Sequence, residues 1–317
     1  MDPNTYVLEI SGENIEKPIK LTLEDLKTKF QHHTVTATIQ CAGNRRNEMS
    51  RYKPVKGGEW EIGAISNATW TGPRLRDVLE YAGLPADGGG MKHIHFVGLD
   101  HDFEKYYGAS IPIEKALSPD GDVILALQMN GEELPRDHGY PVRVIVPGVV
   151  GARNVKWLGR VHASKEESPS HWQQYDYKGF CPSVDWHNVD WSQAPSIQEL
   201  PVTSAITEPL PGTVISADET ELKVKGYAWS GGGRGIIRVD VSIDGGQTWQ
   251  PAQLLPRPYQ PYNRVWAWTL WEYTVPLPED AASRPDSIHI ICKAVDSSYN
   301  TQPVRLNLRC SARTDPY

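Results

Sequence analysis

Between Ala194 and Pro211 the chain carries Pro195, Pro201, Pro209 and Pro211. Proline lacks a backbone donor and fixes φ, so this stretch can neither continue a helix nor pair as a central strand. It reads as a boundary near residue 200, dividing the chain into 1–200 and 201–317. The 317 residues also exceed what one core usually serves. Past the boundary the texture is all-β. Alternating runs at 221–229, 237–243, 264–271 and 288–295 are separated by Ser230-Gly231-Gly232-Gly233 and Asp244-Gly245-Gly246. Short strands with turns at this spacing predict a β-sandwich of immunoglobulin-like size, with Cys292 in its core.

Before the boundary the rhythm is mixed, and the fold class read from it is α+β. Strands are predicted at 6–10, 35–39, 64–70, 93–100 and 123–129, the last running into the Asn130-Gly131 turn. Thr22 caps a short helix, another at 74–82 is closed by Gly83, and a third lies near 114–117. Cys41 falls where the strand ending at Ile39 meets the Gly43-Asn44 turn, with Arg45 and Arg46 behind it. Nearby guanidiniums favour a thiolate, which is a nucleophile or a soft metal ligand. The other reading is a small buried hydrophobe beside two surface charges. Trp60, in a basic loop, is either core or the wall of a small pocket. His93 and His95 share one strand face, which suits a metal or simply a solvated surface.

Arg136, Asp137, His138 and Arg143 surround a strand, and Gly151, Arg153 and Lys156 follow a glycine-marked loop. Such a set can grip a phosphate-bearing cofactor, because guanidiniums bind phosphate bidentately and loop N–H groups add donors. Alternatively, these are edge charges that discourage aggregation. The aromatic stretch 168–191 either caps a site or packs domains together. A net charge of −7 argues against a nucleic-acid partner. The cysteines at 41, 181, 292 and 310 form no paired motif and suggest neither zinc nor a disulfide framework. No apolar run is long enough for a membrane span, and residues 1–4 do not read as a leader.

Taken together, Thr38-Ile39-Gln40-Cys41-Ala42-Gly43-Asn44-Arg45-Arg46, Arg136-Asp137-His138-Gly139, residues 149–158 and Asp176-Tyr177-Lys178-Gly179-Phe180 resemble the sulfite oxidases, molybdenum-pterin enzymes. Tyr227-Ala228-Trp229-Ser230-Gly231-Gly232-Gly233-Arg234 and Asp244-Gly245-Gly246-Gln247-Thr248-Trp249 resemble that family's dimerisation domain. The resemblance implies a molybdopterin-binding catalytic domain over 1–200 and an immunoglobulin-like dimerisation domain over 201–317. It implies Cys41 as the thiolate on molybdenum, Arg46, Trp60, Tyr177 and Arg309 at the substrate, and Asp100, His138, Arg143, Asn154, Val155 and Lys156 at the molybdopterin. The implied reaction is oxidation of sulfite to sulfate by oxygen-atom transfer in a homodimer, in the mitochondrial intermembrane space.

Against that pattern, no segment before Thr36 matches the family's upstream substrate arginine, so the catalytic domain reads as N-terminally truncated. The family's cytochrome b5-like haem domain has no counterpart, so no haem is expected in this chain. Electrons would pass to cytochrome c or to a haem domain in trans. The tail after Asn300 reads as shortened. Two other readings compete: a nitrate reductase-type molybdenum domain, and a catalytically silent dimerising homologue.

Overall fold

The structure, a computed structural model, describes residues 2–51, 53–55, 57–102, 105–216, 218–277 and 288–303. Contacts divide the chain into two compact units that part between Glu199 and Leu200.

The first unit opens with β1 (Val7–Gly12), β2 (Ile19–Thr22), α1 (Leu23–Thr28) and β3 (His32–Gln40). Thr22 accepts from the Asp25 N–H while the Asp25 carboxylate accepts from the Thr22 N–H. This reciprocal cap starts α1 where the sequence placed it, and such caps are each worth about 1 kcal/mol. After α2 (Arg46–Ser50) come β4 (Ile65–Pro73), α3 (Leu75–Tyr81), β5 (His93–Asp102), β6 (Lys105–Pro112) and α4 (Ile113–Leu117). The unit continues through β7 (Ile124–Ala126), β8 (Gln128–Met129), β9 (Glu132–Glu133), β10 (Arg143–Ile145), β11 (Leu158–Ser164) and α5 (His171–Gln174).

One sheet runs β2-β1-β11-β5-β6, with β1 and β11 parallel and the other neighbours antiparallel. Leu8, Ile10, Ile94, Phe96, Ile111 and Val161 are fully buried within it. A second sheet, β3-β4-β8-β9, is antiparallel, and β7 pairs with β10. The strand predicted over 123–129 is therefore broken. Its first half pairs with β10 and its second with β4, so Leu127 lies at a change of partner.

The second unit is a β-sandwich. It holds β12 (Thr203–Glu208), β13 (Glu221–Trp229), β14 (Ile236–Ser242), β15 (Gln250–Pro251), β16 (Gln253–Leu254), β17 (Thr269–Pro276) and β18 (Ile291–Asp296). Sheet β12-β13-β17-β16 and sheet β15-β14-β18 share a core of Val224, Ala228, Val239, Val241, Trp271, Val275 and Ala294.

Two sequence readings fail in this unit. Residues 264–268 form a loop, and the strand begins only at Thr269. Val265 and Trp266 are buried because the loop folds onto Gly233, whose carbonyl accepts from the Val265 N–H at 3.1 Å, and because the Trp229 indole donates to the Trp266 carbonyl. Cys292 is half-buried at the margin of the core rather than inside it.

Candidate functional site

β3 carries its chain straight to Cys41, whose N–H donates to the Ala64 carbonyl at 2.9 Å before the backbone turns. The turn is closed by Asn44 N–H to Cys41 O at 3.0 Å and Arg46 N–H to Gly43 O at 3.0 Å. The Asn44 side chain fixes the returning strand by accepting from the Ala64 N–H. The thiol is half-buried, with the Gly43 N–H 3.4 Å from its sulfur.

The two arginines behind Cys41 have different fates. Arg45 adopts a left-handed backbone (φ 65°) and pairs with Glu48 at 2.6 Å, so its charge is balanced locally. Arg46 is only 4% exposed and donates through Nη1 to the Gly58 carbonyl at 2.7 Å. A Cβ at Gly43 would overlap the Arg46 guanidinium and come within 2.9 Å of Trp60 Cδ1. Glycine is therefore required for the turn, the guanidinium and the indole to close on one spot. Trp60 is 52% exposed, so it is a wall rather than core.

A second group forms around the turn Arg136–His138 and the segment 154–156. Arg143 donates to the His138 carbonyl at 2.9 Å and the Asn154 carbonyl at 3.2 Å, and lies 4.9 Å over the Trp70 ring. It is buried, its Nε has no hydrogen-bond partner, and burial pushes the guanidinium down to about 10. Lys156 donates to the Asp137 carbonyl and is held below the usual ammonium range by burial and then by Arg143. Asp100 is raised by burial, and its buried Oδ1 has no partner among the described residues. Gly139 (φ 106°) fits between Lys156 and Arg143, where a Cβ would come within about 3 Å of each.

Other predicted residues are arranged differently. His138 is exposed, and Val155 is buried and aliphatic, so its side chain offers no polar group. The Asn154 side chain is fully engaged: it accepts from the Val146 N–H at 2.7 Å and donates to the Val149 and Val150 carbonyls. It shapes the segment rather than reaching outward. Arg309 lies outside the described residues.

Tyr177 sits in a left-handed backbone (φ 47°), its N–H held by the Asp176 carboxylate and its carbonyl by the Ile197 N–H. Its ring lies against Arg153. The two regions approach through Gly151, where a Cβ would lie 3.1 Å from the Gln40 carbonyl. The aromatic stretch packs largely on itself, with Trp191 edge-on to Tyr175 and Phe180. Lys53 ties it to the basic loop by donating to the Pro182 and Val184 carbonyls.

Sequence reasoning missed Tyr107, whose hydroxyl donates to the Ala152 carbonyl at 2.7 Å, and the buried Gln173. Neither carries a local signal. His95 bonds the Glu166 carbonyl, and among the described residues no cluster of three or more His, Cys, Asp or Glu could hold a metal by itself. No helix among them is long and apolar enough to cross a membrane.

The unpartnered Nε of buried Arg143 and the unpartnered buried oxygen of Asp100, whose charge is felt by Lys156, fit a ligand that bears both an anionic group and N–H donors. The half-buried thiol adds a soft ligand for one metal ion.

Comparison with known proteins places the chain in a family. Residues 1–172 match the oxidoreductase molybdopterin binding domain, and residues 194–312 match the Mo-co oxidoreductase dimerisation domain. A sulfite oxidase of Gallus gallus is 58% identical over 304 residues, covering 96% of this chain and 64% of that protein. A sulfite oxidase of Arabidopsis thaliana is 43% identical, covering 94% of this chain and 77% of its own length. The chain thus spans somewhat under two thirds of the Gallus gallus protein. Among solved structures, the sulfane dehydrogenase SoxCD of Paracoccus pantotrophus superposes with a TM-score of 0.77 at 30% identity, covering 96% of this chain and 70% of that one. With more than half of its length matched by the molybdopterin-binding domain, the chain belongs to the sulfite oxidase family of molybdopterin-binding oxidoreductases.

Proposed function

We propose that this protein oxidises sulfite to sulfate using a molybdenum-molybdopterin held in the first unit. The observation that carries the reading is the closure of Arg46 and Trp60 around Gly43, which makes a small cationic niche beside the half-buried Cys41 thiol. When bound, molybdenum supplies oxygen-atom transfer: sulfite gains one oxygen, water is the net source, and two electrons and two protons leave.

The chain's own residues do the rest. Cys41 Sγ holds the metal as a thiolate. Arg46 offers its guanidinium and Trp60 its indole N–H to a small oxyanion, and Tyr177 adds a hydroxyl. Arg143, Lys156 and His138 hold the cofactor's phosphate, and the Asp100 carboxylate receives N–H donors from the pterin. Asn154 and Val155 set the course of the backbone there. Arg309 remains a proposed fourth contact to substrate.

The same proposal takes in a pterin-binding catalytic part over 1–200, an immunoglobulin-like dimerising part over 201–317, a homodimer, and an electron acceptor such as cytochrome c or a haem domain in trans. The location proposed with it is the mitochondrial intermembrane space.

The test is molybdenum and pterin content of the purified protein together with sulfite-dependent reduction of cytochrome c or ferricyanide, with nitrate assayed in parallel. We expect sulfite turnover, and a loss of more than about a hundredfold in Cys41→Ser with pterin still bound. Turnover of nitrate alone, or wild-type rates in the serine variant, would overturn the reading.

A further inference from the structure

Arg153 ends the short turn Gly151–Arg153, just before the segment assigned to the cofactor. Its side chain is 0% exposed. Nε donates to the Ile197 carbonyl at 3.0 Å, and Nη1 donates to Gln173 Oε1 at 2.5 Å and to the Trp172 carbonyl at 3.4 Å. Nη2 has no hydrogen-bond partner, and among the described residues the guanidinium forms no ion pair. Burial pushes it below its ordinary range, with Tyr107, Glu167, Tyr177 and Asp176 acting weakly in the opposite direction. An interior cation without a carboxylate is costly, and a methionine would fill the same space more cheaply. Packing alone does not account for an arginine here.

What the charge faces is the Tyr177 ring. Arg153 Cζ lies 5.8 Å from the ring centroid, within cation–π reach. The two residues are joined a second time through one residue: Ile197 donates its N–H to the Tyr177 carbonyl, and its carbonyl accepts from Arg153 Nε. Tyr177 needs such support, because a left-handed backbone is unfavourable for a residue with a Cβ and persists only where the surroundings hold it. On the other side, the Tyr107 hydroxyl holds the Ala152 carbonyl while its ring packs 5.1 Å from Trp172, so the turn bearing Arg153 is itself fixed.

We propose that Arg153 is a positioning residue for Tyr177, holding the phenol ring face-on to a buried cation so that its hydroxyl is presented to the bound oxyanion. This deepens the sulfite reading and rests on it. Arg153 itself does not touch the substrate, since its guanidinium is buried on every side.

The test is a double-mutant cycle on the holoenzyme. Arg153→Gln and Arg153→Lys are each made with Tyr177 intact and with Tyr177→Phe. Pterin content, sulfite KM and kcat, and the sulfate dissociation constant by calorimetry are measured. With Tyr177 intact, Arg153→Gln should weaken sulfate binding and raise sulfite KM about tenfold while pterin content holds. In the Tyr177→Phe background the same change should cost less than about twofold. Arg153→Lys, which keeps the charge, should recover part of the loss.

Equal losses in both backgrounds would overturn the assignment, as would loss of pterin from both Arg153 variants, since Arg153 would then serve the scaffold or the cofactor. A wild-type protein that binds sulfate but does not turn over sulfite sinks the sulfite reading alone, because the coupling remains measurable by calorimetry. No sulfate binding by the wild type would overturn both.

Discussion

Buried charge is handled differently at Asp296 in the sandwich and at Arg143 and Asp100 in the first unit. In the sandwich, Asp296 is fully buried, yet it accepts from Ser230 Oγ, from the Ser298 and Asn300 N–H groups and from the Asn300 amide, and it pairs with Arg234 at 3.3 Å. Burial pushes its carboxyl up, but those hydrogen bonds outweigh it and hold the group below the usual carboxylate range. In the first unit, Arg143 and Asp100 keep buried polar atoms that nothing among the described residues satisfies. The contrast separates structure from function. A charge whose lone pairs or protons are taken organises a fold, whereas Arg143 and Asp100, left short next to the segment assigned to the cofactor, keep capacity for a ligand.

The largest expected effect tests the satisfied side. Asp296→Ala orphans a buried hydroxyl and two backbone N–H groups and removes the ion pair to Arg234, and should destabilise the protein by about 3 kcal/mol in urea unfolding. Pterin bound per folded molecule should not change. A fall in pterin content matching that of a first-unit variant would break the comparison.

The unsatisfied side is tested by Arg143→Met. Removing the cation leaves the His138 and Asn154 carbonyls without that donor, so the pterin-free protein should lose about 1–2 kcal/mol, less than in Asp296→Ala, while pterin retention through a desalting step falls at least about tenfold. Destabilisation as large as that of Asp296→Ala, with pterin still retained, would mean that Arg143 is structural after all.

Gly43→Ala sharpens the picture at the thiol. The new methyl meets the far end of the flexible Arg46 chain and the Trp60 ring, so the side chains should shift before the backbone does. Sulfite KM should rise about tenfold with little change in melting temperature.

The smallest effect is electrostatic. Backbone and side-chain hydrogen bonds from Thr22, together with one from Lys29, hold the half-buried Asp25 carboxylate down to about 2, from an ordinary 3.8. A depressed carboxylate pKa contributes stability above the unfolded value, and that contribution is lost as pH falls toward the folded one. The melting-temperature deficit of Asp25→Asn should therefore be present at pH 6 and shrink between about pH 4 and pH 2. A deficit that persists unchanged at pH 2 would assign it to α1 propensity instead.

Much of the local structure was legible because its causes lie within a few residues. Thr22 and Asp25 are three apart, so their reciprocal cap is written in the sequence. The alternation through Ile39 and the Gly43-Asn44 turn put Cys41 at a strand's end for equally local reasons. The run 264–268 misled because alternation reports that side chains are half-buried and not that a partner strand exists. Here the burial comes from a loop folded on Gly233. Cys292 misled similarly, since apolar neighbours do not say how near a sheet's margin a residue falls.

By itself, the sequence determined the α+β and sandwich character of the two parts and the motifs that mark the family. It brought Arg45 and Arg46 to Cys41 as equals, and Arg153 as one cation among several. Only the tertiary structure decided that Glu48 balances Arg45 while Arg46 is buried against Gly58 and Trp60, and that Arg153 stands over Tyr177. The physical reason is range. Periodicity, caps and turns act over a few residues, but whether a charge is balanced depends on groups that the chain brings together from far apart.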